Sequence, residues 1–240
     1  MSVRVANILP PGWVDVFDPH RPRITIGFDP ATTTKKKSNP SAITVTQQVG
    51  LFYFARLVVR MKTSDPDVIH ALLDLILTGL RARGLSVRKL VILATNERFF
   101  AVTLKKKFSG RLPVKLLIES ENIAYQGQTL KVKAYLGNLF VNTITDGYLP
   151  LPPERFVKDD LRQVVMDRGT FDAEVAQDGG HGDVFASTAA SLDGQITGGG
   201  RAKAEGVPVG TFSNRQAPTR RLLNPLAHKF RKGAVARLAT

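Results

Sequence analysis

Two aspartates far apart in the chain are of the type, and in the setting, that metal-assisted hydrolysis requires. Asp29 closes the apolar run Arg23-Ile24-Thr25-Ile26-Gly27-Phe28-Asp29 and precedes Pro30. Asp183 closes Asp178-Gly179-Gly180-His181-Gly182-Asp183 and opens the apolar stretch 184–192. A carboxylate at the end of a strand and another at the start of a helix can meet at one sheet edge. There they would share a divalent cation, which prefers hard oxygen ligands. Each also has an ordinary structural explanation: Asp29 as a turn former before proline, Asp183 as a helix N-cap. Around them, Asp178 is a candidate auxiliary acid on the same turn, and His181 a candidate ligand or phosphate-orienting group, or else a turn residue facing solvent between glycines. The chain has no cysteine, which excludes thiolate metal sites and disulfides. No Gly-x-Ser-x-Gly elbow occurs, so acyl hydrolysis has no support. No Gly-x-x-x-x-Gly-Lys-Ser/Thr loop occurs either, which argues against ATP hydrolysis.

The elements that must position these acids read as follows. An irregular, proline-rich lead-in (1–22) precedes a buried strand over Arg23–Asp29. Two β-branched and aromatic runs, Ser41–Gln47 and Leu51–Arg60, flank Val49-Gly50 and make an antiparallel meander with it. Ser64 or Asp65 caps a helix that begins near Pro66, with apolar residues at helical spacing from Val68 to Leu80. Lys89–Ala94 is a central strand, Asn96-Glu97 starts a second helix through Phe108, and Val114–Ile118 is a further strand. Helices are expected over Thr129–Ile144, over part of Glu154–Met166, and over Val184–Leu192. The order β-β-β-α-β-α-β-α predicts a mixed α/β sheet, three antiparallel strands and then parallel ones, with helices on both faces. It is the order of the ribonuclease H-like nuclease fold. The expected domain is 23–193, followed by a flexible basic tail, 194–240.

Hydrophobic residues at 43% and charged ones at 22% suit a globular chain with a sizeable core. No apolar run is long enough for a membrane span, and no signal segment opens the chain. The net charge of +14 is skewed: residues 194–240 carry nine basic side chains against Glu205 alone. Such a balance favours a polyanionic partner, DNA or RNA. Lys35-Lys36-Lys37, on the loop after Asp29, and Arg220-Arg221 in the tail are the candidate phosphate contacts. Lys105-Lys106-Lys107 reads as a solvated basic face, and Asp159-Asp160 with Arg155, Lys158 and Arg162 as surface ion pairs.

Five stretches carry a family resemblance: Leu90–Ala101 (LVILATNERFFA), Gly127–Asn142 (GQTLKVKAYLGNLFVN), Leu149–Phe156 (LPLPPERF), Asp159–Arg162 (DDLR) and Gly180–Asp183 (GHGD). Over roughly residues 23–193 the chain resembles the nuclease domain of phage terminase large subunits. The resemblance implies endonucleolytic cleavage of double-stranded DNA with Mg²⁺ or Mn²⁺, Asp29 and Asp183 being metal ligands of a two-metal site. It implies an ATPase motor subunit, portal or small terminase as partners, and the host cytoplasm as location. One position departs from the pattern. Where the family commonly ends its fourth strand in an aspartate, this chain has Leu93, which cannot bind a metal. Glu97, one helical turn on, could reach back into the site with Asn96 as a neutral oxygen donor; as a first-turn helix acid it would be merely favourable to the dipole. Two alternatives follow: a resolvase-type nuclease of the same fold, or a non-catalytic DNA-binding and assembly subunit.

Overall fold

The computed structural model describes residues 5, 7–21, 23–32, 40–63, 65–167, 170–173 and 182–197. Residues through Gly198 form one compact unit; Gly199–Thr240 form a second, which lies outside the described residues.

Strands β1 (Ile24–Asp29), β2 (Ser41–Val49) and β3 (Phe52–Met61) form the expected meander, with both pairings antiparallel. Helix α1 (Pro66–Ala82) follows; Asp65 caps it, its side chain accepting from the Asp67 amide. Strand β4 (Val87–Leu93) then enters parallel to β1, and after helix α2 (Arg98–Phe108) strand β5 (Val114–Leu117) enters parallel to β4. The sheet order is β3-β2-β1-β4-β5, and the three antiparallel strands followed by parallel ones are as the sequence predicts. Crossover helices force the parallel pairings, because only a long connection can return a strand to the same end of the sheet.

The two faces carry different chemistry. On one, Ile24, Ile26 and Phe28 of β1 pack with Leu90 and Ile92 of β4 against Ile69, Leu72, Leu73 and Ile76 of α1 and Leu104 and Phe108 of α2. The lead-in joins this core: Val5, Leu9 and Phe17 are buried in it, and Trp13 lies against Gly79. On the other face Val91, Leu93 and Leu117 meet helices α3 (Val132–Thr145) and α5 (Asp183–Ile196). At the centre of that face β1 and β2 offer hydroxyls in place of large apolar groups. Thr25 Oγ1 donates to the Ser191 carbonyl (2.8 Å), and Thr44 Oγ1 bonds Ser187 Oγ and Thr188 Oγ1 (2.9 and 3.1 Å). Buried hydroxyls satisfied in this way cost little and permit a close approach of helix to sheet.

Two expectations need correction, and a third takes definite bounds. The helix expected over Thr129–Ile144 starts only at Val132, because Gln128–Lys131 (β7) pairs antiparallel with Asn122–Tyr125 (β6). Gln126 and Gly127 both take positive φ (50° and 79°), as a two-residue hairpin turn demands. The segment 154–166 is helical in part, as expected, over Arg155–Arg162 (α4); a hairpin not foreseen follows, in which Val164–Asp167 (β8) pairs with Thr170–Ala173 (β9). Finally, Asp159 does bond Arg155 and Arg162 at the surface (3.3 and 3.5 Å), but Asp160 is fully buried.

Candidate active site

Residues of one strand alternate between faces, so Thr25, Gly27 and Asp29 all look toward α5. Gly27 decides how near that helix comes. A Cβ there would overlap the carbonyl oxygen of Ser187 and the amide of Ser191, and would stand 3.0 Å from the Ser191 Cα. Backbone therefore lies on backbone. With Thr25 against Ser191 and Gly27 against Ser187–Ser191, strand and helix run past each other in opposite senses. One further step of two residues along the strand reaches Asp29; one further step of four along the helix reaches Asp183. The two carboxylates face one cleft because this face is made of residues too small to keep strand and helix apart.

The start of α5 is set from two sides. Gly182 adopts φ 73°, and a Cβ on it would press on Val164 Cγ2 (2.9 Å) and the Ala173 Cβ (3.1 Å) of the β8–β9 hairpin. The helix has no capping side chain of its own. Asp160 of α4 supplies one: its Oδ2 accepts from the amides of Val184 (3.0 Å) and Phe185 (3.1 Å). Capping thus falls to Asp160, and Asp183 occupies the first turn, where a negative charge also suits the helix dipole. Asp160 escaped sequence reading because its neighbours pair as surface ions. The available signal was its spacing of three from Val157, which puts both on the buried side of α4.

Around this junction lies a cleft of about 520 Å³ whose walls include Asp29, Asp183, Glu97, Asn96, Leu93 and Glu119. Burial, then the charge of Asp183, then those of Glu119 and Asp160 push the Asp29 carboxyl well above the usual carboxylate range. Burial also raises Asp160, against the pull of the amides it caps and of Arg60. Glu119 is raised by burial, countered chiefly by Lys133 and by its bond to Thr95. Lys133 is itself ion-paired with Asp172 of β9 (2.7 Å), whose carboxyl it holds below the usual range.

The sequence-derived candidates therefore divide. Asp29, Asp183, Glu97 and Asn96 are brought to one cleft, and Leu93 lines it where the family pattern places an acid. Glu97 spends Oε1 on the loop after β1, accepting from the Thr32 amide (3.1 Å) and hydroxyl (2.7 Å). Asp178, His181, Lys35, Lys36, Lys37, Arg220 and Arg221 lie outside the described residues. Lys105, Lys106 and Lys107 are exposed on α2, as a solvated face would be. Glu119 and the β8–β9 hairpin were not singled out from the sequence, although Glu119 stands two residues past the apolar run of β5. Among the described residues no three His, Asp or Glu side chains stand close enough together to hold an ion among themselves.

No protein-family model matches the sequence, and no curated protein matches it. Among solved structures, the large terminase nuclease from thermophilic phage G20c aligns with a TM-score of 0.54 at 16% identity, over 74% of this chain and 84% of that one. The same nuclease with bound magnesium aligns at 0.51 and 18%, over 74% and 83%. The nuclease domain of the large terminase subunit of bacterial virus Sf6, with manganese, aligns at 0.50 and 13%, over 77% and 97%. At these identities the likeness is one of fold: the chain has the ribonuclease H-like fold of large-terminase nuclease domains.

Proposed function

We propose that this chain is a divalent-metal-dependent endonuclease that cuts double-stranded DNA during viral genome packaging, with Asp29 and Asp183 as ligands of Mg²⁺ or Mn²⁺. The observation that carries the reading is the convergence of these two carboxylates, each acting on one cleft from a different element. The donor set fits the metal. All the donors are oxygens, and a hard cation such as Mg²⁺ keeps several waters and needs only one or two carboxylates besides substrate phosphate. When bound, the ion would neutralise phosphoryl charge and lower the pKa of an attacking water. The protein's own part is positional. Gly27 sets the distance between strand and helix, Asp160 holds the first turn of α5, and Glu97 anchors Thr32 where the loop leaves Asp29. The positive charge of the chain supplies attraction for DNA that is independent of base sequence. No phosphate-binding loop occurs in this sequence, so ATP-driven translocation would come from a motor module outside it, on the same or another chain, with portal or small terminase as further partners in the host cytoplasm. No helix among the described residues is long and apolar enough to cross a membrane.

One observation favours a second reading, that of a DNA-binding assembly subunit without activity: the cleft wall at the end of β4 is Leu93, 4% exposed. Nicking of supercoiled plasmid in Mn²⁺ separates the two. The parent chain should convert the plasmid to open circles, EDTA should stop it, and Asp29→Asn and Asp183→Asn should each fall to background. A parent that shifts DNA in EDTA but never nicks it in Mn²⁺ would leave the assembly reading. An Asp29→Asn chain that cuts at the parent rate would remove that carboxylate from the site.

A further inference from the structure

We infer that the outward face of α2 is where the DNA duplex lies as it leaves the cleft. Phe99 would rest against its sugars and bases, and Arg98, Lys105 and Lys106 on its phosphates. The inference rests on the DNA-cutting reading above and names the surface that would hold the substrate. Ala101, Leu104 and Phe108 turn one side of α2 into the core. At about 100° per residue Phe99 points the opposite way. Lys106, seven residues on, falls within about 20° of the same line and about 10 Å further along the helix. Phe99 is 94% exposed; Met166, at 67%, is the next most exposed large apolar side chain among the described residues.

The rim of the cleft carries this ring. Asn96 and Glu97, the two residues before α2, line the cleft together with Asp29 and Asp183. Hydrogen bonds on both sides fix that rim: Glu97 Oε1 accepts from the Thr32 amide and hydroxyl, and Thr95 Oγ1 from the Glu119 amide. Helix α2 has four cations and no acid. Lys107 turns toward α1, where its charge acts on His70 beside Asp67 and Asp74. Arg98, Lys105 and Lys106 are exposed and, among the described residues, have no ion-pair partner. Lysines by themselves would be a solvated face, and a single exposed ring is ordinary on a protein surface. The two together, continuous with a cleft, fit a polyanion that also offers apolar sugars and bases. A duplex whose phosphodiester enters the cleft passes over this rim.

The test is binding of a fluorescein-labelled duplex to the full chain in EDTA, followed by anisotropy across a KCl series, so that neither cleavage nor metal takes part. Phe99→Ala should weaken binding about fivefold or more, as loss of one aromatic contact to a base does. It should leave the dependence of log K on log salt unchanged, because it removes no charge. Lys105→Ala/Lys106→Ala should flatten that dependence by about 1.8, and Arg98→Ala by about 0.9, since each phosphate contact contributes about 0.9. Arg81, exposed in the last turn of α1, is the control, and Arg81→Ala should alter neither affinity nor slope. All the altered side chains are exposed, so melts should match the parent's; should Phe99→Ala not fold, Phe99→Gln in the same titration applies the same criterion. Parent-like affinity in Phe99→Ala, or a slope in the double lysine variant no flatter than in Arg81→Ala, overturns the assignment of this face to DNA. The DNA reading itself would then still stand, and the face would be left to a protein partner. A parent chain that binds no duplex overturns the DNA reading as well.

Discussion

Gly27→Ala adds one methyl group and should disable the site without touching an acidic residue. The methyl would lie 3.0 Å from the Ser191 Cα, and closer still to the Ser187 carbonyl oxygen and Ser191 amide. Relaxed carbon–carbon contacts are about 3.5–4.0 Å. The obstructing atoms are backbone, so no side-chain rotation relieves them, and α5 must withdraw by on the order of 1 Å or more in an interior packed as densely as a crystal. Overpacking of this kind costs about 1–3 kcal/mol. With the Thr25–Ser191 hydrogen bond also stretched, the upper end is expected. For a unit of this size, roughly 3 kcal/mol lowers Tm by about 6–12 °C. The withdrawal also separates Asp29 from Asp183, so Mn²⁺ binding should weaken even at temperatures where the variant is fully folded. The assay is a thermal melt in EDTA paired with Mn²⁺ titration at 15 °C below the variant's Tm, about 15 °C being a margin at which a two-state unit is almost wholly native. Gly110→Ala is the control, since a methyl there meets nothing within 4 Å. A Gly27→Ala chain that melts with the parent and binds Mn²⁺ equally would refute the claim that close approach of α5 builds the site.

Two further outcomes follow from buried polar groups. Asp160→Ala should cost about 2 kcal/mol, combining a lost cap with one buried and one partly buried amide left without an acceptor. Asp160→Asn should melt near the parent, because it keeps an acceptor oxygen and removes a charge that burial disfavours; urea denaturation of the pair would expose an error if both variants lost stability equally. His70, on α1, has Nε2 buried without a partner, and its pKa is lowered by burial and by Lys107 more than its bond to Asp67 raises it. The unfolded chain therefore takes up a proton first as pH falls through about 6.5, so stability is full above that pH and declines below it. His70→Gln should flatten this decline between about pH 7 and 5. An unchanged slope in the variant would mean that His70 titrates alike in both states.

The order of sheet and helices was legible because it is written in local signals. Pro66 behind Asp65, the β-branched runs of β2 and β3, and the short apolar β4 each limit what the segment can become. The two hairpins were not legible for a related reason. Thr129 and Leu130 sit well in either a strand or the first turn of a helix, and only the positive φ at Gln126 and Gly127 chooses the strand. Val164 and Val165 were absorbed into the preceding helix, whose charged pairs with Asp159 continue the helical spacing to Arg162. Asp160 shared that pattern and was hidden by it.

What brings Asp29 to Asp183 belongs to another category of information. Hydrophobic periodicity reports which residues face a core, but it is silent on how near two backbones come once they face each other. Here that distance is set by Gly27, Ser187 and Ser191, residues whose small size gives no periodic signal. A valine at Gly27 would leave the pattern of β1 intact, and would even strengthen it as a strand, while holding the two acids too far apart to share a small cation.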